Sequence, residues 1–431
     1  MDNDNLIENI RTFFKEKYDG INGSESFLSF EPIGSPINSE DFMDEAGNES
    51  AHKALEQLSV IGDRIPEISD TYFTDTSRLS TAYSILVNTL QLNSEFLDDG
   101  IASTFLSLKS SALAKLEHFE SASIVTPQGK YLPVHPSIEK WYDPDSPVWT
   151  KKSFEVNHNQ QSKSKKKKAN NETFAWRSNF KTNPKVLKAL SSEPIQKQTK
   201  FKVSKSKQTP IILRPTFFSN SKAVPPAVKN PKPKVKVKSL KLKTNHIQKA
   251  FVLKEKHQKL QNKKLIEWKD LKVLQHLDIS DRLQLTGQIA AADNASLKPV
   301  NSSSFKMSFE YSIVKLRRPW YDSSLFDLAD WWHCKTLKEG FFSTGEKDET
   351  NDGILKSFTT AMILIKNLEI EASWSDTDKD NAKKSIALGN FNITDSKFHG
   401  NTLKSEGIQI LGWICNVLPK LPLKDAPEIE K

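Results

Sequence analysis

The sequence predicts an α+β protein: a helical acidic N-terminal domain, a flexible Lys-rich middle segment and a mainly antiparallel β C-terminal domain. Three patterns predict this class. Apolar residues recur at helical spacing near the N-terminus, alternate at strand spacing in the C-terminal third, and are separated by a long basic region. A chain of 431 residues with 24 Phe and 9 Trp can form roughly two or three domains of about 150 residues each.

Residues 1–125 are interpreted as the acidic helical domain. The first predicted helix carries one apolar face and a capping box of Asn5 and Glu8. Its apolar face consists of Leu6, Ile10, Phe13 and Phe14. A second helix is predicted from about Thr81 to Leu97, ahead of Gly100. A third begins near Ser103, and its apolar stripe consists of Phe105, Leu108, Ala112, Leu116 and Phe119. Three such stripes need a common core, which predicts one helical domain.

The next two segments are predicted to be an extended connector and a flexible linker or insertion. Residues 126–158 form a Pro- and Trp-rich connector, which its prolines keep extended. Its Trp141, Tyr142 and Trp149 either pin it to a neighbouring domain or form an exposed aromatic platform. Residues 159–232 are a Lys/Ser/Pro-rich linker or insertion, and the tract at 159–172 has the low complexity typical of disorder.

Residues 233–431 are predicted to form a mixed α+β domain. A basic helix is predicted at about 248–277, and strands follow it. The segment "SFKMSFEYSIVKL" alternates cleanly, "AMILI" is apolar on both faces, and "LEIEASW" alternates beside it. The apolar run "GIQILGWICNV" predicts a closing strand before a proline stop.

Charge divides the chain into three blocks. Residues 1–150 carry a net charge of −15, residues 151–260 carry +25 and residues 261–431 carry −1. Such a basic block is typical of an arm that binds a polyanion, although it can also be a solvated linker. Of its 29 cations 27 are lysines, which bind phosphate electrostatically and read bases poorly. The partners considered are nucleic acid, an anionic membrane surface, an acidic protein, or residues 1–150 of the same chain.

The stretch "PKPKVKVKSLKLK" at 231–243 alternates lysine with aliphatic residues. The parity slips at Ser239, where a β-bulge would restore one apolar face and one lysine face. Its prolines and lysines favour an edge strand, which either guards against aggregation or binds a partner. The candidate binding residues here are Lys234, Lys236, Lys238, Lys241 and Lys243.

A second candidate site is the aromatic cluster at 315–334, "KLRRPWYDSSLFDLADWWHC". Arginine with tryptophan suits stacking on a base, a sugar or a choline group. The alternative is that the tryptophans fill a core and the arginines pair with aspartates at helix starts. The candidate binding residues are Arg317, Arg318, Trp320, Trp331 and Trp332.

No motif predicts an enzyme, a metal site or a cofactor. The run "SDTDKDNAKKSI" imitates a calcium loop, but Asn381 and Ala387 stand where that loop needs Gly and Glu. Cys334 and Cys415 are interpreted as reduced thiols. Without a signal-like N-terminus or a membrane-length apolar run, the chain is predicted to be soluble and cytoplasmic at synthesis, with export by an uncleaved route left open.

These patterns together favour a non-enzymatic interaction or structural protein whose Lys-rich segment contacts a polyanionic partner or surface. Two alternatives remain open: a nucleic-acid-binding protein without sequence specificity, and an exported effector that acts on anionic membranes. Oligomeric state is not predicted.

Overall fold

We describe the protein from a computed structural model, which covers residues 6–18, 25–96, 98–126, 129–146, 148–157, 175–178, 283, 297–300 and 304–426. These residues belong to one unit, which comprises Met1–Lys181 and Leu265–Lys431. The described helices are α1 (Leu6–Lys17), α2 (Ala51–Gly62), α3 (Leu79–Thr89), α4 (Asp99–Ser121) and α5 (Asp376–Lys383), with 3-10 turns at Ser39–Phe42, Ser94–Phe96 and Phe326–Trp331.

The described strands are numbered in chain order. They are β1 (Ser26–Ile37), β2 (Arg64–Pro66), β3 (Thr74–Arg78), β4 (Leu90–Leu92), β5 (Ile124–Thr126), β6 (Gly129–Tyr131), β7 (His135–Pro136), β8 (Thr150–Asn157), β9 (Ala175–Ser178), β10 (Leu297–Pro299), β11 (Ser304–Arg317), β12 (Trp332–Cys334), β13 (Ser357–Ala372), β14 (Ser385–Leu388), β15 (Phe391–Asn392), β16 (Lys397–His399), β17 (Thr402–Ser405) and β18 (Ile408–Val417).

One large antiparallel sheet organises the fold. Its strands lie in the order β1-β18-β13-β11, and β8 and β7 follow one another along the outer edge of β11. Strand β17 pairs with the far half of β13 and with β16. The first strand of the chain therefore lies beside the last, so that distant parts of the sequence share one sheet. The predicted α+β class with an antiparallel C-terminal sheet is confirmed.

The central strands form because their side chains are apolar on the faces that they bury. The side chains of β11 alternate between the two faces of the sheet. One face places Phe305, Met307 and Phe309 in one core, and the other face places Val314 and Leu316 in another. Strand β13 is buried on both faces over most of its length. It joins "AMILI" and "LEIEASW", which were predicted as neighbouring strands, into one strand that turns through Asn367 at φ 51°.

Three cores surround the sheet. Helix α1 covers one face, where the small sheet β10-β9-β14-β15 adds Leu388 and Phe391. Helix α2 and Trp141 cover the other face together with the buried side of β18. The third core packs α3 and α4 against the chain that follows β11, including Trp320 and Trp332. Each helix is amphipathic because only one side of it meets a core.

The helix predictions met different outcomes. The first and third are confirmed by α1 and α4, whose apolar stripes contribute Phe14, Phe105 and Leu116 to the cores. The second is wrong beyond Thr89, where the chain leaves the helix to form β4, which pairs with β12. Cross-strand pairing there outweighs the helical spacing of the apolar residues. Strand β1 and helix α2 were not predicted.

The predicted segment boundaries stay a prediction, and the basic helix at 248–277 lies outside the described residues. Trp141 is buried against Phe42 at 5.3 Å between ring centroids, which favours the pinning interpretation of the connector over an exposed platform. Cys334 and Cys415 are buried free thiols. None of the helices in the described ranges has the length and apolar composition needed to cross a bilayer.

Strand β1 depends on a glycine in β18 for its close approach. A Cβ on Gly412 would lie 2.7 Å from Phe30 Cδ1 and 2.8 Å from the Ser29 carbonyl oxygen, too close for either to remain in place. We expect Gly412→Ala to lower the free energy of unfolding by about 1–3 kcal/mol, the usual cost of overpacking. Gly407→Ala is the matched control, because open space surrounds that position. Denaturant titration of both variants measures the difference, and equal midpoints would contradict the account.

Candidate functional site

The five lysines of the first candidate site, Lys234, Lys236, Lys238, Lys241 and Lys243, lie outside the described residues. The structure does describe the two strands, β9 and β10, that precede and follow the segment containing these lysines. Strand β9 ends at Ser178, and β10 begins at Leu297. We call residues 179–296, which lie between these strands, the lysine-rich segment.

Strands β9 and β10 hold the two ends of this segment side by side. They pair antiparallel, with Leu297 opposite Arg177 and Pro299 opposite Ala175. Strand β9 also pairs with β14, and the Ala175 carbonyl accepts a hydrogen bond from Gly389 N at 3.0 Å. The base of the segment is thus built into the small sheet.

The lysine-rich segment has a large excess of positive over negative residues. It contains 26 Lys and Arg residues against 7 Asp and Glu residues, a net charge of +19. A group of cations on one tethered stretch can neutralise several phosphates at once, and each contact releases condensed counterions. Arg177 lies in the stem itself, where its Nε donates to the Gly389 carbonyl at 3.3 Å.

The second candidate site does not form one surface. Trp320 and Trp332 are fully buried, and their indole nitrogens donate to the carbonyls of Pro133 at 3.0 Å and Leu325 at 2.8 Å. These carbonyls satisfy the polar atoms of both rings inside the core. The geometry therefore favours core packing over stacking on a ligand for both tryptophans.

The other three residues of this cluster lie in different surroundings. Arg317 is exposed on β11 and pairs with His135 of β7. Trp331 is half-buried and stacks on Phe96 with 6.4 Å between ring centroids. Arg318 is buried, so only Arg317 and one face of Trp331 remain open to a ligand.

Arg318 is occupied by backbone carbonyls. Its Nη2 donates to the Gly62 carbonyl at 2.7 Å, and its Nη1 donates to the Thr359 carbonyl at 2.6 Å. Burial lowers the pKa of the guanidinium to about 10, and the nearby Asp63 carboxylate opposes that shift. The guanidinium stays charged at neutral pH, and it joins α2 to β13.

Asp63 extends this buried network to α3. Its carboxylate accepts hydrogen bonds from the Ser80 backbone N–H and hydroxyl, both at 2.7 Å. Burial raises the pKa of Asp63 to about 6, while the bonds from Ser80 and the positive charge of Arg318 limit the increase. Asp63 therefore positions the start of α3. This role of Asp63 was not predicted from the sequence.

Glu31 is a carboxyl group buried inside the fold. It is 1% exposed and lies where four residues of β1 bulge against one residue of β18. Trp413 Nε1 donates to one carboxyl oxygen, while the other has no partner among the described residues. Burial raises the pKa of Glu31 to about 8, against the opposing effects of the Trp413 bond and the Arg64 charge. Glu31 was not identified from the sequence, where its only trace is one glutamate between Phe30 and Pro32.

A surface cleft lies between α3, α4 and β6. It has a volume of about 610 Å³, with Ile85 and Leu132 among its apolar walls. Glu117, Glu120 and Lys130 extend exposed charges into it and have no side-chain partner in the ranges that the structure covers. Its hydroxyl groups come from Ser80, Thr81, Ser84, Ser121 and Ser123. Such a lining suits a small polar ligand, although no described residues there form a metal-binding cluster.

The region that imitates a calcium loop is a helix start in the structure. Ser375 Oγ donates to Asp378 Oδ2 at 2.6 Å, and Asp378 N donates back to Ser375 Oγ at 3.0 Å, which caps α5. Asp378 is fully buried in this role. The carboxylate spacing therefore has a structural explanation.

No protein-family model, curated protein or solved structure matches this chain.

Two substitutions in the aromatic cluster at 315–334 compare a buried side chain with an exposed one. Trp320→Ala is expected to lower the free energy of unfolding by about 3–5 kcal/mol, because it removes a buried ring and leaves a cavity. Arg317→Ala should change it by less than about 0.5 kcal/mol, because that side chain is exposed. Thermal and denaturant melting measure both effects. A Trp320→Ala protein with wild-type stability would refute the core assignment.

The buried Glu31 predicts a pH dependence of stability. Its pKa is about 8 in the folded protein and near 4.5 when exposed, so the folded state holds a proton that the unfolded state releases. Stability should therefore fall as pH rises from about 4.5 to about 8. Glu31→Gln cannot ionise, so its advantage in melting temperature over the wild type should grow across that range.

Glu45→Gln serves as the control for this profile, because Glu45 is exposed. Its melting temperature should follow the wild-type profile. Asp63 adds its own slope at lower pH, and that slope cancels in the comparison because all three proteins retain Asp63. Parallel profiles for Glu31→Gln and the wild type would show that Glu31 does not titrate in this window.

Proposed function

We propose that this chain is a non-enzymatic interaction protein whose lysine-rich segment binds a polyanionic partner or surface. The observation that carries the proposal is the separation of charge along the chain, together with the pairing of β9 and β10 at the two ends of the lysine-rich segment. Residues 158–174 and 179–296 together hold 31 Lys and Arg against 8 Asp and Glu, a net charge of +23. The rest of the chain holds 31 against 45, a net charge of −14.

The stem of β9 and β10 supports the role of a tethered arm. Both ends of the lysine-rich segment start from adjacent, paired backbones in the small sheet. A partner bound to the segment would be held at that sheet, and the rest of the fold would keep its cores. This arrangement suits attachment to a surface or an assembly.

The composition of the lysine-rich segment favours electrostatic binding over the recognition of a particular base sequence. Of its 26 cations 24 are lysines, whose compact ammonium groups attract phosphate without the forked geometry that reads a base. Base stacking by Trp320 and Trp332 does not form part of the proposal, because both rings are buried. A nucleic acid or an anionic membrane would therefore be recognised by its charge density.

Acidic residues outside the basic segments would compete with an external polyanion for the lysines. A net charge of −14 outside the basic segments attracts the same lysines that an external polyanion would attract. Salt screens both interactions, and each depends on the same ammonium groups. We infer that the affinity for an external polyanion is the balance between external and internal attraction.

A salt series tests the proposal on the full-length protein. We expect weak binding to mixed-sequence double-stranded DNA, with a logarithmic salt slope of roughly −4 to −5 if about five phosphates are neutralised. Replacing Lys234, Lys236, Lys238, Lys241 and Lys243 together by Gln should weaken binding and flatten the slope. Vesicles of phosphatidylcholine with and without phosphatidylserine, measured in parallel, distinguish a membrane surface from nucleic acid.

A second five-lysine variant controls for net charge. It carries glutamine in place of five exposed lysines of the described fold: Lys17, Lys130, Lys335, Lys338 and Lys347. It should retain most of the binding, because its substitutions lie outside the lysine-rich segment. Absence of binding to DNA and to vesicles at low salt, binding without a salt slope, or equal loss in both variants would each contradict the proposal.

A further inference from the structure

Strand β8 presents an open edge of the large sheet. Its eight residues pair with β11 in a continuous register from Thr150 opposite Tyr311 to Asn157 opposite Ser304. No described segment pairs with its other edge. The backbone N–H and C=O groups of that edge can accept another strand.

Strand β8 lacks two features by which proteins often block an edge, a proline and a β-bulge. The outer edge of β1 is interrupted by Pro32 and Pro36, and the stretch around Thr71 bridges to Phe30. Strand β8 contains no proline and no register shift against β11. Its lysines are the remaining protection, so the position of each lysine decides what the edge can bind.

The side chains of β8 divide between two faces. Lys151, Ser153 and Glu155 are exposed on one face. Lys152 and Phe154 are half-buried on the face of α1, where the Lys152 ammonium lies 4.6 Å from the centre of the Phe13 ring and 5.3 Å from that of Phe154. Lys152 is therefore held against the aromatic rings, and Lys151 is the lysine that extends into solvent.

The sequence of β8 is complementary to itself in one antiparallel register. We propose that β8 pairs with β8 of a second copy of this chain about a two-fold axis at Ser153, which joins the two large sheets edge to edge. In this register Lys151 lies opposite Glu155 of the second copy, and the pair occurs twice by symmetry. On the other face Lys152 lies opposite Phe154 of the second copy, an arrangement that suits a cation–π contact.

Neighbouring registers are unfavourable, which makes the pairing specific. A shift of two residues in one direction places Lys152 opposite Lys152 of the second copy. A shift in the other direction leaves Lys151 without an opposite carboxylate. Parallel pairing in register stacks lysine on lysine at both positions. The lysines thus oppose indiscriminate pairing and permit the two-fold register.

The exposed charges of β8 already alternate with those of β11. Lys306 Nζ lies 3.8 Å from Glu155 Oε1, and Glu310 lies opposite Lys151 in the sheet. A second copy would continue this alternation, because Glu155 would then lie between Lys306 and Lys151 of that copy. Opposite charges directly across a strand pair stabilise it, and like charges destabilise it.

Charge exchange tests the interface on the full-length protein. Light scattering after size-exclusion chromatography and sedimentation equilibrium, over a concentration series, should find a dimer of the wild type. Lys151→Glu and Glu155→Lys should each weaken dimerisation by at least about tenfold, because each replaces two attractions by two repulsions. Lys130→Glu alters an exposed lysine of the cleft and should leave the dimer unchanged.

Mixing the two single variants gives the decisive comparison. In a mixed dimer both charge pairs again join opposite charges, so the mixture should form a dimer that neither variant forms alone. Ser153→Asp is a further variant in case the charge-exchange variants are unstable. It places the two introduced carboxylates of the dimer opposite each other across the two-fold axis. Within the chain, residue 153 lies opposite the uncharged Ser308. Circular-dichroism melting verifies that each variant is folded.

The outcomes separate clearly. A wild-type dimer, weakened dimers for the folded single variants and a restored mixed dimer support the interface. A wild-type protein that stays monomeric at all concentrations overturns it. A dimer that tolerates all three variants, or single variants that fail to complement each other on mixing, overturns it as well.

Discussion

A buried guanidinium joins the sheet to the helices of the N-terminal half. Arg318 directly follows β11 and donates to the carbonyls of Gly62, the last residue of α2, and Thr359 in β13. Asp63 follows Gly62 and positions the start of α3 through Ser80. Removing one member of such a network costs much more than the network contributes in net stability, because the remaining charge stays buried without its partner. This short chain of polar contacts therefore joins the core that contains α2 to the core that contains α3.

The two sides of this fold place polar groups in different ways. Three ionisable groups are buried: Glu31, Asp63 and Arg318. Burial raises the pKa of the two carboxyl groups and lowers the pKa of the guanidinium, because it disfavours the charged form of each. Their positions tie strands and helices together, which is a structural role. The cleft beside α4 and the open edge of β8 carry their charges in solvent, where a ligand or another chain can reach them. The cleft and the edge of β8 thus lie at the surface, while these three ionisable groups lie inside.

Charge organises the chain on a larger scale. The basic segments 158–174 and 179–296 carry a net charge of +23, and the rest of the chain carries −14. In the proposed function, an external polyanion and the acidic residues of the same chain compete for the same lysines. The proposed pairing of β8 acts at a shorter range, where individual residues lie opposite one another and register decides between attraction and repulsion. The two proposals are independent, because one rests on net charge and the other on the order of residues in one strand.

Sequence alone determined the parts of this protein that repeat a simple local pattern. The stripes of α1 and α4, the alternation of β11 and the apolar run of β18 all predict elements that the structure contains, because one periodic face buried in a core leaves a periodic trace. The division of the chain into blocks of different net charge also follows from the sequence alone. Only the tertiary structure decided that Trp320 and Arg318 are buried, that β1 pairs with the last strand across a bulge, and that helix α3 stops for β4. These features depend on contacts between residues hundreds of positions apart, and the free energy of such contacts leaves no periodic signal in the residues that make them.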